Sequence, residues 1–122
     1  MRNALAAVTL LAALTACASL IAETPAQRVF ALTADYRALL TVALEYESLP
    51  RCDKTGRVLC SDAPAVERMR KADRYAEAAL DEAEDIVRAP GLTEDSVRLA
   101  IRAAESAVAV FRLVLTEEGL LE

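Results

Sequence analysis

Prolines and glycines divide this chain into three long uninterrupted segments, and that division limits what it can fold into. Both residue types punctuate helices, so the stretches between them are candidates for single elements. Each of the three stretches is more than 20 residues long. The residues that separate them are Pro25, Pro50, Pro64, Pro90, Gly56, Gly91 and Gly119.

Capping residues predict where the first helix begins and ends. Thr24, Pro25 and Gln27 have the pattern of a capping box, with a proline at the first helical position. Helix 1 is therefore expected to begin there. It is expected to run to about Ser48, because Pro50 disfavours helical geometry in the residue before it.

The same reasoning sets the bounds of two further helices. Helix 2 is expected to open at Ser61 or Asp62, to tolerate a proline in its first turn, and to stop at Ala89. Helix 3 is expected to be capped by Thr93, with acidic residues in its first turn, and to end at Gly119.

Apolar residues recur at the three-and-four spacing of amphipathic helices in all three segments. Helix 3 is apolar over most of its circumference and is expected to lie deepest. The fold class predicted is all-α, a small antiparallel three-helix bundle over residues 24–122. The expected core residues are Val29, Leu32, Tyr36, Leu39, Leu40, Ala43 and Tyr46 in helix 1; Val66, Met69, Ala76, Leu80, Ala83, Ile86 and Val87 in helix 2; and Leu99, Ile101, Ala104, Val108, Val110, Phe111, Leu113, Val114 and Leu115 in helix 3.

Composition excludes several classes of function. The chain has 122 residues, is 55% hydrophobic and has a formal net charge of −5, which indicates one globular domain and no nucleic-acid partner. It contains no histidine, so the commonest general base and the usual nitrogen ligand of zinc are missing. No catalytic motif is present in the sequence. We therefore expect no enzymatic activity, no cofactor and no metal.

The N-terminus has the three-part plan of an export signal, with Arg2 before an apolar stretch and small residues. Its sequence "LTAC", residues 14–17, resembles the lipobox of bacterial lipoprotein precursors. That resemblance implies a signal peptide over residues 1–16, cleavage before Cys17, and attachment of diacylglycerol to the Cys17 thiol with further acylation, for example by palmitate. Residues 17–23 would form a short tether. Because Ala18, not aspartate, follows the cysteine, the resemblance also implies the outer membrane, facing the periplasm.

Two other fates of Cys17 remain open from the sequence. Ala16 and Ala18 also satisfy the small-residue rule for ordinary signal cleavage, which would release the protein. Residues 3–22 contain no charge and are long enough to span a bilayer as an uncleaved helix, although four polar side chains and many alanines weaken that interpretation.

Cys52 and Cys60 enclose seven residues of turn-favouring composition between helices 1 and 2. In an exported protein this spacing predicts a disulfide, and we call residues 52–60 the cysteine loop. A redox pair or a zinc site would need CxxC spacing or histidine. If Cys52 and Cys60 pair with each other, Cys17 is the one cysteine left to carry the lipid.

Other polar clusters suggest structural roles. Four acidic residues late in helix 2 are expected to form a solvated face, since helical carboxylates rarely make a cation cage. Three arginines of helix 3 are expected to pair with acids of helix 2 rather than to face a phosphate or a lipid headgroup. Three tyrosines are expected to pack their rings at the core edge with wet hydroxyls rather than to stack on sugar. Four alanines of helix 2 suit either internal packing or a partner helix. These sets are Asp81, Glu82, Glu84 and Asp85; Arg98, Arg102 and Arg112; Tyr36, Tyr46 and Tyr75; and Ala72, Ala76, Ala79 and Ala83.

The function expected is that of a lipid-anchored bacterial envelope protein with a structural or protein-interaction role. Its partners would be the membrane, through acylated Cys17, and an envelope protein or a cell-wall component. The alternative is an exported ligand-binding or inhibitory module, encoded by a prophage or a secretion cluster, that uses the cysteine loop as its contact element.

Overall fold

Three α-helices form the part of the chain that the computed structural model describes, which is residues 24–53 and 59–121. Helix α1 spans Pro25–Glu47, α2 spans Ala63–Arg88 and α3 spans Glu94–Glu117. The helices pack against one another in all three pairings, and the described residues contain no strand beyond one isolated bridge. The predicted all-α three-helix bundle is confirmed.

Local hydrogen bonds start each helix where the sequence predicts. Thr24 caps α1: its hydroxyl accepts from the Gln27 N–H, and its own N–H donates to Gln27 Oε1 at 2.8 Å, which completes the capping box. Asp62 caps α2 through its carboxylate, and Thr93 caps α3 through its hydroxyl. Each cap satisfies a backbone donor that the first helical turn leaves free.

The C-terminus of α3 closes with a left-handed glycine. Gly119 has φ of +72°, a conformation that residues with a Cβ rarely adopt. Its N–H donates to the Thr116 carbonyl, and the Leu120 N–H donates to the Leu115 carbonyl at 2.9 Å. This is the Schellman arrangement, and it turns Leu120 back against the core.

Contacts between side chains fix the directions of the helices. On α1 and α3, Arg28 pairs with Glu105 and Asp35 pairs with Arg112, both at 2.6 Å and both 77 positions apart, so these helices run parallel. Helix α2 runs antiparallel to both of them. Such half-exposed ion pairs contribute little stability each, and they report the register more than they create it.

The core is built from small residues around a few large ones. Phe111 and Leu115 of α3 are completely buried, and the Phe111 ring packs against Tyr36 of α1 at a centroid distance of 6.0 Å. Ala72, Ala76 and Ala83 of α2 are buried, so these alanines serve internal packing. The other buried apolar residues are Val29, Leu39, Ala43, Ala65, Val66, Met69, Leu80, Ala100, Ile101, Ala104, Ala107 and Val108.

Helix α3 contributes the largest fully buried side chains, but it is not buried on every apolar side. Leu99 is 71% exposed and Leu113 is 55% exposed, and Val110 is exposed as well. All three were expected in the core. Within the bundle only α1 and α2 pack against α3, and they cover the side of α3 centred on Ala104 and Phe111.

Replacing Phe111 with alanine is expected to lower the free energy of unfolding by about 3–5 kcal/mol, because it removes a fully buried ring and leaves a cavity beside Tyr36. Urea titration of the purified protein would measure the change. Phe30→Ala is the matched control, since Phe30 is 77% exposed and its loss should change stability by less than about 0.5 kcal/mol. Equal losses for the two variants would contradict this description of the core.

Candidate functional site

A disulfide joins Cys52 to Cys60 in the connection between α1 and α2, with their Cα atoms 4.8 Å apart. The predicted pair is therefore present, and it closes a nine-residue ring, residues 52–60. Closing a ring of this size stabilises a fold by about 2–3 kcal/mol in the chain-entropy model. Residues 54–58, at the tip of the cysteine loop, lie outside the described residues.

Backbone hydrogen bonds hold the base of the cysteine loop together. The Cys52 N–H donates to the Ser61 carbonyl at 3.0 Å, and the Ser61 N–H donates to the Pro50 carbonyl at 2.9 Å. Ser61 is buried, and its hydroxyl donates to the Leu49 carbonyl. The two ends of the cysteine loop are thus held together by the disulfide and by three hydrogen bonds.

Tyr46 connects this base to the bundle. Its phenolic oxygen accepts a hydrogen bond from the Asp62 N–H at 2.9 Å, one residue before α2 begins. Asp62 caps α2 with its side chain, so this contact ties the end of α1 to the start of α2. The base of the cysteine loop is therefore attached to the bundle, and Leu59 is exposed beside Cys60.

The lipid-attachment prediction at Cys17 lies outside the described residues, as do the predicted signal peptide, the tether and the alternative membrane span. Among the residues that are described, no helix combines the length and the hydropathy needed to cross a bilayer. The described chain begins at Thr24, immediately before α1.

The arginines of α3 do not pair with the acids of α2, and that expectation is wrong. Arg112 donates to both carboxylate oxygens of Asp35 on α1, and Arg98 pairs with Asp95 in its own helix. Arg102 is exposed and makes no ion pair with a described residue. Both pairings follow from the rotation of α3 about its axis, which turns these side chains away from α2.

The acidic residues late in α2 form a largely solvated face, as the sequence predicts. Asp81, Glu82 and Asp85 are exposed, and Glu84 pairs with Arg88 one turn later at 3.0 Å. Within residues 24–53 and 59–121, no group of three acidic or cysteine side chains is arranged to hold a metal ion.

Two of the three tyrosines use their hydroxyls, which corrects the expectation of wet ones. Tyr36 is buried and its hydroxyl donates to Asp73 Oδ1 at 2.7 Å, whereas the Tyr46 hydroxyl accepts from the Asp62 N–H. Burial raises the pKa of Tyr36 above its usual range, and the hydrogen bond to Asp73 raises it further. Tyr75 is exposed beside α3.

The surface also has grooves that sequence reasoning missed. One of them, about 480 Å³ in volume, lies between the starts of α1 and α3 and is open to solvent. Its lining residues include the apolar Leu92 and Ile101 and the basic Arg28, Arg98 and Arg102. The spacing within each helix could not reveal this groove, because it forms only where two helices meet.

No family model matches this chain, and neither does any curated protein or solved structure. The residues themselves must therefore support any functional argument.

Removing the disulfide with the double variant Cys52→Ser/Cys60→Ser should lower the free energy of unfolding by about 2–3 kcal/mol, because the unfolded chain regains the freedom that the ring removes. Urea titration with and without reductant measures this loss, and reduction should leave the double variant unchanged. Cys17→Ser is the control, because it keeps the ring and should keep the native urea midpoint. A reductant-insensitive native protein would contradict the assignment.

Stability is expected to fall as the pH rises above 10, because an unfolded Tyr36 ionises near its ordinary pKa of 10 while the buried phenol keeps its proton. The folded state then binds more protons than the unfolded one, which favours unfolding with increasing pH. Tyr36→Phe should reduce this slope. Tyr75→Phe is the matched control and should retain it. Urea midpoints between pH 9 and 11 provide the test, and identical slopes in the two variants would contradict it.

Proposed function

We propose that this protein is a lipoprotein of the bacterial cell envelope, anchored through acylated Cys17, with a structural or protein-interaction role. Two features of the chain support the proposal. The sequence "LTAC" resembles a lipobox, and the Cys52–Cys60 disulfide suits the oxidising compartments outside the cytoplasm.

The disulfide is the observation that carries the proposal. The chain has three cysteines, and two of them are joined in the connection between α1 and α2. An odd cysteine in an exported protein needs its own explanation, such as a free thiol or pairing between chains. Acylation of Cys17 provides one, at the position that the lipobox resemblance indicates.

The physical chemistry of acyl chains suits a permanent anchor. Each buried methylene contributes about 0.8 kcal/mol, so one chain holds only marginally and two or three hold firmly. Lipoproteins of the class that the lipobox resembles have two or three acyl chains. Since the residue after the cysteine is Ala18, the proposed location is the outer membrane, facing the periplasm.

A short tether would keep the bundle near the membrane. Only residues 18–23 separate Cys17 from the capping Thr24, and six extended residues reach at most about 20 Å. A protein held this close suits binding to a neighbouring membrane protein or to a cell-wall component.

The intact mass of the protein from a bacterial envelope tests the anchor. The expected mass is that of a chain beginning at Cys17 plus a diacylglycerol and one further acyl group. Cys17→Ser should lose the lipid and no longer fractionate with membranes, whereas the control Cys52→Ser/Cys60→Ser should stay in the membrane fraction. An unmodified Cys17, or a leader still attached, would refute the proposal.

A second candidate function is that of an exported ligand-binding or inhibitory module that makes contact through the cysteine loop. The exposure of Leu59, on a base fixed by the disulfide, favours it. Affinity capture from the native envelope distinguishes the two roles. A partner lost on Leu59→Ser, and kept in the control Leu92→Ser, would support the module, because Leu92 is exposed at a different connection.

A further inference from the structure

Helix α3 has a second apolar face that its own bundle leaves in water. We call it the α3 stripe: Leu99, Ala103, Ser106, Val110 and Leu113. These residues are all exposed and are separated by steps of four, three, four and three, which places them on one side of the helix, as in the seam of a coiled coil. They lie opposite the face that contains Ala104, Phe111 and Leu115.

The bundle leaves the stripe exposed. The core is complete on the other side of α3, where Ala104, Ala107, Phe111 and Leu115 have no exposed surface. Leu99 and Leu113, in contrast, are more than half exposed. Single exposed leucines are ordinary on protein surfaces, but a regular series of them along one helix marks an interaction surface.

An apolar cleft adjoins one end of the stripe. It lies between α2 and α3, has a volume of about 270 Å³, and is lined by Ala72, Tyr75, Val110 and Val114, with Arg68 and Lys71 also in its walls. Val110 belongs both to the cleft and to the stripe. The surface thus presents a protruding leucine at one end, Leu99, and a hollow near the other.

We propose that the α3 stripe binds the α3 stripe of a second copy of this chain, in antiparallel orientation, about a two-fold axis at Ser106. The order of residues fits this symmetry, since Leu99 and Leu113 each lie seven positions from Ser106. Ala103 and Val110 lie three and four positions from it. Leu99 of each copy would therefore face Leu113 of the other copy.

The cleft of each copy would receive the Leu99 side chain of the other copy. In the antiparallel register, Leu99 of the second copy comes beside Val110 and Leu113, at the mouth of the cleft lined by Tyr75 and Val114. The two-fold axis repeats the same contact at the other end. A side chain that enters a hollow between helices is the packing that coiled coils use.

The middle of the stripe favours close approach of the two helices. Ala103 and Ser106 are small, and the stripe contains no charged side chain between Leu99 and Leu113. Two antiparallel helices also align their dipoles favourably.

The expected contact is modest in size. From Leu99 to Leu113 the stripe is about 21 Å long, on a helix about 10 Å wide, so its projected area is about 200 Å². Stable complexes bury about 800 Å² per partner, which places this pair among weak and transient associations. The inference goes beyond the proposed function and does not depend on the lipid.

Sedimentation of the whole chain in mild detergent, with its concentration raised stepwise to about 1 mM, tests the pairing. The native chain should associate to dimers, and Leu113→Glu should weaken association about tenfold or more, because it places a charge against the apolar Leu99 of the other copy at both ends of the contact. Leu44→Glu is the matched control: Leu44 is also 55% exposed, but it lies on α1. It should leave association unchanged, and circular dichroism should show both variants folded.

Cysteine cross-linking tests the orientation in the same whole chain. A mixture of Leu99→Cys and Leu113→Cys chains should form a mixed dimer with a short thiol cross-linker. Each variant alone should give no more cross-linked dimer than the native chain, which controls for cross-linking through Cys17. A native chain that stays monomeric would overturn the proposal. It would do so even if the stripe were found to bind a different protein. Efficient cross-linking of Leu99→Cys to itself would overturn the antiparallel register.

Discussion

The close approach of α2 and α3, which share the largest interface in the bundle, depends on alanine. Ala76 and Ala83 on one helix, and Ala104 and Ala107 on the other, have no exposed surface at all. Side chains of this size let two helix axes come near the lower end of the usual 8–10 Å range, and so leave room for only a few large residues between them. Phe111 is one of these, and its contact with Tyr36 brings α1 onto the pair. The burial of Tyr36 in turn places its hydroxyl against Asp73, so one aromatic contact joins all three helices.

The connection between α1 and α2 is the second feature that determines how the helices are arranged. Here the disulfide, the buried Ser61 and the Tyr46 contact with Asp62 act at the same place, directly before the cap of α2. The covalent constraint therefore reaches the bundle through the capping residue, and it determines where α2 begins as well as how far the loop can open.

Sequence alone predicted what is decided locally. Caps, prolines and the left-handed Gly119 act within one turn of the helix, so the bounds of all three helices and the Cys52–Cys60 pair could be read from spacing. The rotation of α3 is decided by packing against two other helices, and periodicity could not supply it. An all-round apolar helix offers two possible core faces, which is why Leu99 and Leu113 were placed inside. The partner of Arg112 depends on the same rotation, and the grooves between helices depend on how two helices pack, so periodicity could predict neither.

The proposed pairing and the proposed anchor are geometrically compatible. Arg28 and Asp35 are each level with a residue of α3 77 positions later, so Thr24 is level with Ile101, five residues from the two-fold axis at Ser106. Five residues rise about 7.5 Å along a helix, so the two copies' Thr24 residues would be offset by only about 15 Å along the helix direction, although the bundles point in opposite directions. Tethers that reach about 20 Å can then place both lipids in one bilayer, with the pair lying along the surface. Confinement to that surface raises the effective concentration of each copy for the other, which is the condition under which a small apolar contact becomes populated.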